Sequence, residues 1–129
     1  MALKIKDFLE KEGLSNLLSV ALYGNGWASC DVDDANRELV AGQKFDCWED
    51  KLAGILLAGG SIIIDDVYAE DDGEDDFRHI ITLSDIENGL ELMRDEYPNH
   101  WADLAEENDD AITGDVFLQL TVFGELIYG

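Results

Sequence analysis

Apolar side chains recur at helical spacing in the first part of the chain. They lie on one face of residues 3–12, and Gly13 follows them as a natural helix end. Ser15 is placed to cap a second helix that continues to about residue 23. This part of the chain is therefore predicted to form two consecutive helices that are separated at Gly13.

A strand pattern and a further helix pattern follow. Residues 27–32 are typical of a short strand, and the polar residues 33–44 predict a connection with at most a helical turn. Asp46 can cap the next helix, which the Gly59-Gly60 pair stops. This helix should lead directly into the most strongly β-branched segment of the chain.

A β-hairpin is predicted over residues 61–83. Its first strand covers residues 61–68, its second covers residues 78–83, and an acidic segment containing Gly73 joins them. Ser84 and Glu87 then have the spacing of a capping box, in which each side chain satisfies a free backbone N–H group. The helix that they start should continue to residue 96.

Two more helices are predicted towards the C-terminus. Pro98 opens a short one, and Thr113 caps a last element over residues 116–128, where apolar side chains recur every three to four positions. We favour a helix there, although a strand stays open because β-formers crowd the segment. The expected fold class is α+β, a small antiparallel sheet, including the hairpin near residues 61–83, packed with about five helices.

Composition supports a single folded domain over residues 1–129. Apolar residues make up 47% of the chain, and this fraction separates it from intrinsically disordered acidic sequences. Cys30 and Cys47 form no short-spaced pair and are expected to be free thiols. No signal peptide and no bilayer-spanning apolar run are recognisable, so we expect a cytoplasmic protein.

The chain is strongly and unevenly acidic. Its formal net charge is −22, and residues 61–129 alone hold two arginines against twenty acidic residues, a formal charge of −18. Mutual repulsion raises the free energy of the compact state, so a chain that keeps such a charge is expected to use its field. The natural counterpart is a cationic surface of the kind that binds nucleic acid.

Carboxylates are densest in the predicted hairpin loop. Eight of the twelve residues 65–76 are acidic, namely Asp65, Asp66, Glu70, Asp71, Asp72, Glu74, Asp75 and Asp76. A solvated turn is the simpler interpretation, yet eight carboxylates exceed what a turn requires. Their spacing of about 5–7 Å on a strand or helix suits cationic side chains that otherwise meet rows of phosphates. Acids on the predicted helices would lengthen the row: Glu91, Asp95, Asp103, Glu106, Glu107, Asp109 and Asp110.

Metal binding and catalysis find less support. An EF-hand register with Gly73 at its sixth position fails, because Tyr68 and His79 then fall on its first and twelfth positions. The two cysteines and two histidines lack the spacing of a zinc module, and no nucleophile motif is present. We therefore predict no metal, no cofactor and no catalytic residue, with divalent-cation binding as the weakest hypothesis. Direct binding to nucleic acid or to membranes is not expected of so acidic a chain.

Short segments resemble small acidic proteins encoded by bacteriophages and prophages. They are Asp109-Asp110-Ala111, residues 115–119 and 122–129, and, earlier in the chain, residues 21–24, Trp27 and the Gly59-Gly60 pair. The resemblance implies a mobile-element context and no particular activity or site residues. By analogy, small acidic proteins in that context often act as DNA mimics that block restriction enzymes or CRISPR effectors.

Two main function hypotheses follow from the acidity. The first is a non-enzymatic inhibitor that mimics nucleic-acid phosphates and blocks a cationic DNA- or RNA-binding surface of a host defence protein. The second is a phage-encoded protein-interaction or assembly module whose acidity serves solubility. Whether the apolar C-terminal segment is buried internally or forms a homodimer interface stays open.

Overall fold

A three-stranded antiparallel sheet packs against helices in the computed structural model, which describes residues 2–23, 25–108 and 110–128. The strands, in spatial order, are β1 (Ala28–Asp31), β2 (Ser61–Asp66) and β3 (Arg78–Thr82). The helices of the described residues are α1 (Ile5–Phe8), α2 (Lys11–Leu22), α3 (Asp34–Glu38), α4 (Trp48–Leu57), α5 (Val67–Asp71), α6 (Leu83–Glu96), α7 (Pro98–Ala105) and α8 (Ala111–Phe123). The predicted α+β class is confirmed. The described residues form eight helices instead of about five, because α1, α3 and α5 are single turns of four or five residues.

The predicted hairpin is confirmed in its strands and different in its connection. β2 and β3 are antiparallel, with Ser61 opposite Thr82 and Asp65 opposite Arg78. β2 ends at Asp66 instead of residue 68, because the Asp66 carboxylate accepts the backbone N–H groups of Tyr68 and Ala69 and so starts α5. The acidic segment is therefore a helical turn followed by a loop.

One face of the sheet lies against the helices and forms the core with them. Ile62 and Ile64 of β2 and Ile81 of β3 are buried on this face. Helix α8 packs between α2 and α6, and its Phe117 and Leu120 are buried too. The last apolar segment is thus mainly an internal helix, in which Val116 to Leu120 are buried, whereas Ile112 at its start and Ile127 after its end are exposed.

Glycine and serine in the first helices have roles other than the predicted ones. Gly13 does not end a helix but lies inside α2, where a Cβ atom would overlap the backbone oxygen of Asp7. Ser15 is no cap either, since it is buried in α2 and its hydroxyl donates to Asp50. Gly13 therefore permits the close contact of α1 with α2 rather than separating two helices.

Three predicted caps are also displaced along the chain. Helix α4 has Cys47, not Asp46, at its N-cap position. Helix α6 starts from a capping box of Thr82 and Asp85, not Ser84 and Glu87. Helix α8 is capped by Asp110, which accepts the backbone N–H of Thr113 at 3.0 Å, and it ends at Gly124 in the left-handed conformation. The cysteines are free thiols, as predicted. Among the described helices, none combines the length and apolarity needed to cross a membrane.

Candidate acidic interface

The segment between β2 and β3, residues 67–77, is called here the acidic connection. It consists of α5 and the loop after it, in which Gly73 has a φ of 78° that only glycine adopts without strain. Six of its carboxylate side chains are exposed: Glu70, Asp71, Asp72, Glu74, Asp75 and Asp76. Within the part of the chain that the structure describes, none of these six forms an ion pair. Their charge is therefore presented to solvent without a compensating cation.

Two of the predicted contact acids are engaged by the protein itself. Asp65 accepts two hydrogen bonds from the Arg78 guanidinium, at 2.9 and 3.1 Å, and its side chain is 14% exposed. Asp66 is only 4% exposed. The predicted outward row consequently does not include Asp66, and Asp65 belongs to it only as half of an ion pair. Both carboxylates stabilise the end of β2, so we no longer count them among the free contact acids.

The buried Asp66 carboxylate ties the C-terminal tail to the acidic connection. Its Oδ1 atom accepts the two backbone N–H groups that start α5, and its Oδ2 atom accepts the Tyr128 hydroxyl at 2.6 Å. This hydrogen bond, with burial and the charges of Asp66, Glu74 and Asp72, raises the pKa of Tyr128 to about 12. The hydrogen bond between Tyr128 and Asp66 thus attaches the C-terminal tail to the start of the acidic connection.

The tail itself is positioned by a buried glutamine. Gln119, which is 1% exposed, accepts the backbone N–H groups of Ile127 and Tyr128 at 2.8 Å each and donates to the Tyr128 carbonyl oxygen. The Tyr128 ring lies 5.8 Å from the Trp27 ring and 5.3 Å from the Tyr68 ring. Aromatic packing and amide hydrogen bonds therefore fix Tyr128 beneath the acidic connection.

The charges around the sheet act on its neighbouring groups. The pKa of Arg78 is raised, first by its hydrogen bond to Asp65 and then by the charges of Asp65, Asp31 and Glu70. Burial, with smaller effects of Asp31 and Asp65, raises the pKa of the Cys30 thiol to about 12. The Cys30 sulfur is accordingly protonated at neutral pH and is not a thiolate nucleophile.

The remaining predicted contact acids lie on the helices. Glu91 and Asp95 are on α6, where Asp95 pairs with the neighbouring Arg94 at 3.0 Å. Four distal acids, Asp103, Glu106, Glu107 and Asp110, occupy the second half of α7 and the turn into α8. Asp109 lies outside the described residues. Acceptance of the Thr113 backbone N–H lowers the pKa of Asp110, so this carboxylate also has a structural role.

The distal acids and the acidic connection lie at opposite ends of α8. Asp110 caps the start of this helix, whereas Phe123 at its end packs 5.3 Å from the ring of His79 in β3. Thirteen helical residues span about 20 Å. The acids therefore do not form the single row expected from the sequence. They form two groups, the distal acids and the acidic connection, at the two ends of α8.

Acids that sequence reasoning missed join the distal group. Asp7, Glu10 and Glu12 of the N-terminal helices lie with Glu107 around a cavity of about 260 Å³, whose apolar lining includes Phe8 and Leu104. Nothing in the local pattern singles out these three acids. They come near Glu107 because the start of the chain lies against α7: the Leu3 N–H donates to the Ala105 carbonyl oxygen at 2.7 Å, and Phe8 packs on Trp101.

No metal site and no known relative guides the interpretation further. In residues 2–23, 25–108 and 110–128, no group of three or more His, Cys, Asp or Glu side chains is arranged to hold a metal ion. Comparison of the chain with protein-family models, with curated proteins and with solved structures found no match. The resemblance to phage proteins stays a prediction, and function has to be argued from the geometry.

Proposed function

We propose that this protein is a non-enzymatic inhibitor that binds, through its acidic connection, a cationic surface with which another protein grips nucleic acid. The exposed carboxylates take the place of phosphates on that surface. The proposed partner is a host defence protein of the restriction or CRISPR type, and the proposed place of action is the bacterial cytoplasm. The observation that carries the proposal is the set of six exposed carboxylates without an ion-pair partner in the described residues.

The placement of acids at helix ends supports a use other than stability. Asp95 and Glu96 lie in the last turn of α6, and Glu106 follows the last residue of α7. The C-terminal end of a helix carries partial negative charge, where an acid is unfavourable by about 0.3–1 kcal/mol. Arg94 offsets this for Asp95 alone. The fold therefore keeps acids where they weaken it.

Electrostatics of this kind predict a characteristic binding behaviour. A concentrated field accelerates association with an oppositely charged surface and falls off over about 8–10 Å at physiological ionic strength. Affinity should consequently drop steeply with added salt, and duplex DNA should compete for the same partner surface. An interaction module that uses its charge only for solubility would show neither property.

The test compares two variants that change net charge equally. The first carries Asp71→Asn, Asp72→Asn, Asp75→Asn and Asp76→Asn in the acidic connection. The control carries Asp34→Asn, Glu38→Gln, Asp46→Asn and Glu87→Gln, four exposed positions outside both acidic groups. Each is used to capture partners from bacterial lysate, and the Kd of the captured partner is measured at low and high salt, with and without duplex DNA.

The expected result follows from the usual value of exposed charge pairs. Four pairs at about 0.2–1 kcal/mol each correspond to an affinity loss between about fourfold and several hundredfold for the first variant. The control should bind nearly as tightly as the parent protein. Equal losses in both variants would mean that only net charge matters. Unchanged binding of the first variant, or a partner with which DNA does not compete, would favour the protein-interaction module instead.

A further inference from the structure

Strand β3 is an edge of the sheet, and its hydrogen-bonding direction can be read from its neighbours. The N–H of Asp66 donates to the carbonyl of Phe77 and the N–H of Val67 to that of Trp27, both at 2.7 Å. Even-numbered residues of β2 therefore bond towards β3 and odd-numbered ones towards β1. Since Ile80 is opposite Ile63 and hydrogen-bonded pairs alternate along an antiparallel ladder, the N–H and C=O groups of Ile80 point away from β2.

In the described part of the chain, the outward N–H of Thr82 is bound by Asp85, but the middle of this edge at Ile80 is open. No backbone or side-chain hydrogen bond reaches the N–H or C=O of Ile80 from residues 2–23, 25–108 or 110–128. The Ile80 side chain is 55% exposed, and its neighbours Arg78 and Thr82 are exposed as well. Open edges of this kind pair readily with another strand, and natural proteins usually protect them with proline, bulges or unpaired charge. Here the one charge, Arg78, is neutralised by Asp65.

Charge decides which strand the edge suits. The acidic connection ends immediately before β3, so an added strand that continues beyond Arg78 would approach Asp76 and Asp75. A second copy of this chain has a formal charge of −22 as a whole, so electrostatic repulsion opposes its approach. The field consequently favours an extended segment with basic residues at that end and disfavours self-pairing.

We propose that β3 accepts an extended basic segment of the partner protein as a fourth strand of the sheet. The inference rests on the proposed function and deepens it by adding main-chain recognition to the electrostatic contact. In an antiparallel arrangement an apolar side chain lies opposite Ile80, and lysine or arginine four and five positions later lies opposite Asp76 and Asp75. The acidic connection then selects the segment, and the edge of β3 fixes its register.

The test uses Ile80→Pro, with Ile80→Thr as its matched control. Proline removes the outward N–H of Ile80 without removing a bond to β2, and proline is tolerated on edge strands for that reason. Threonine keeps the N–H and the β-branched shape. The probe is a synthetic peptide of alternating threonine and valine that ends in three lysines, compared with the same peptide ending in three glutamates.

We expect the lysine peptide to slow hydrogen exchange of the Ile80 amide at least tenfold at saturation, while the amides of His79 and Ile81 change little. Ile80→Pro should weaken its binding at least tenfold, and Ile80→Thr less than threefold. Peptide binding with unchanged exchange at Ile80 would overturn the inference, as would a dimer by sedimentation in its absence. The exchange experiment needs no variant, so it decides the question even if Ile80→Pro misfolds. The proposed function is tested by different experiments, namely the binding of the acidic-connection variant and the competition with duplex DNA, so the two proposals can be refuted independently.

Discussion

Replacing Tyr128 with phenylalanine tests whether the C-terminal tail anchors the acidic connection. The substitution removes one hydroxyl and keeps the ring that packs near Trp27 and Tyr68. It leaves the Oδ2 atom of Asp66 without its hydrogen-bond partner, in a side chain that is 4% exposed. A hydrogen bond to a charged group contributes about 1.5–3 kcal/mol, and a buried unsatisfied group places the cost towards the upper part of that range. We therefore expect Tyr128→Phe to lower the free energy of unfolding by about 2 kcal/mol.

The same contact predicts a pH dependence with a definite sign. The pKa of Tyr128 rises from 10.0 to about 12 in the folded protein, so the folded state holds this proton more tightly than the unfolded state. The stabilisation is complete below pH 10 and is lost as pH rises from 10 towards 12. Phenylalanine has no such proton. The difference in stability between parent and variant should thus be constant at neutral pH and shrink through that window.

Urea unfolding at pH 7 and at steps up to about pH 11 measures both effects. Tyr97→Phe is the matched control, because no hydrogen bond of the Tyr97 hydroxyl occurs in the described residues and the ring is similarly packed against the core. The reasoning is refuted if Tyr128→Phe changes the unfolding free energy by less than about 0.5 kcal/mol, a typical effect of an unremarkable surface substitution. It is also refuted if the parent–variant difference stays the same between pH 9 and pH 11.

Two further predictions concern packing and charge. Gly89→Ala should destabilise the fold despite a gain of about 1 kcal/mol in helix propensity, because its Cβ would overlap the Thr121 hydroxyl and lie 3.0 Å from the Thr121 Cα where α6 meets α8. Urea unfolding should show no such loss for Asn88→Ala at the exposed neighbouring position, and a stabilised Gly89→Ala would contradict the tight contact. The midpoint of thermal unfolding should rise between very dilute buffer and about 0.15 M salt, because three ion pairs in the described residues leave most of the acids uncompensated. A flat response in calorimetry would show that the acids are locally balanced.

Whether a segment of this chain is helix or strand could mostly be predicted from its local sequence pattern. The residues at which each helix and strand begins and ends could not. The apolar spacing that predicts α6 and α8 is a property of each segment alone, which is why both helices are found. The start of α6 was ambiguous, because Thr82-Asp85 and Ser84-Glu87 both have capping-box spacing. The end of β3 selects the earlier pair, since Thr82 is already fixed opposite Ser61. Gly13 shows the same limit, because its need for glycine comes from the backbone of Asp7 and not from a helix end.

The candidate site, too, could be predicted only in part. The number of acids between β2 and β3 is visible in the sequence, but the direction of each carboxylate is set by distant partners. The Asp66 carboxylate points inward because its Oδ2 atom accepts a hydrogen bond from the Tyr128 hydroxyl, 62 residues away in the chain. The convergence of Asp7 and Glu10 with Glu107 likewise depends on α1 lying against the end of α7. No spacing rule within a segment could have indicated either contact.

The anchoring of the acidic connection has a different consequence under each of the two function hypotheses. Solubility depends on net charge, and mobile exposed acids anywhere on the surface would provide it equally well. Here one acid of the cluster is buried, at a cost in desolvation, and is satisfied by the start of α5 and by Tyr128. That arrangement holds the base of the six exposed carboxylates in one geometry, which reduces the entropy lost when they meet a partner. The contact stabilises either kind of protein, but only a protein that binds through these carboxylates also gains from their fixed geometry.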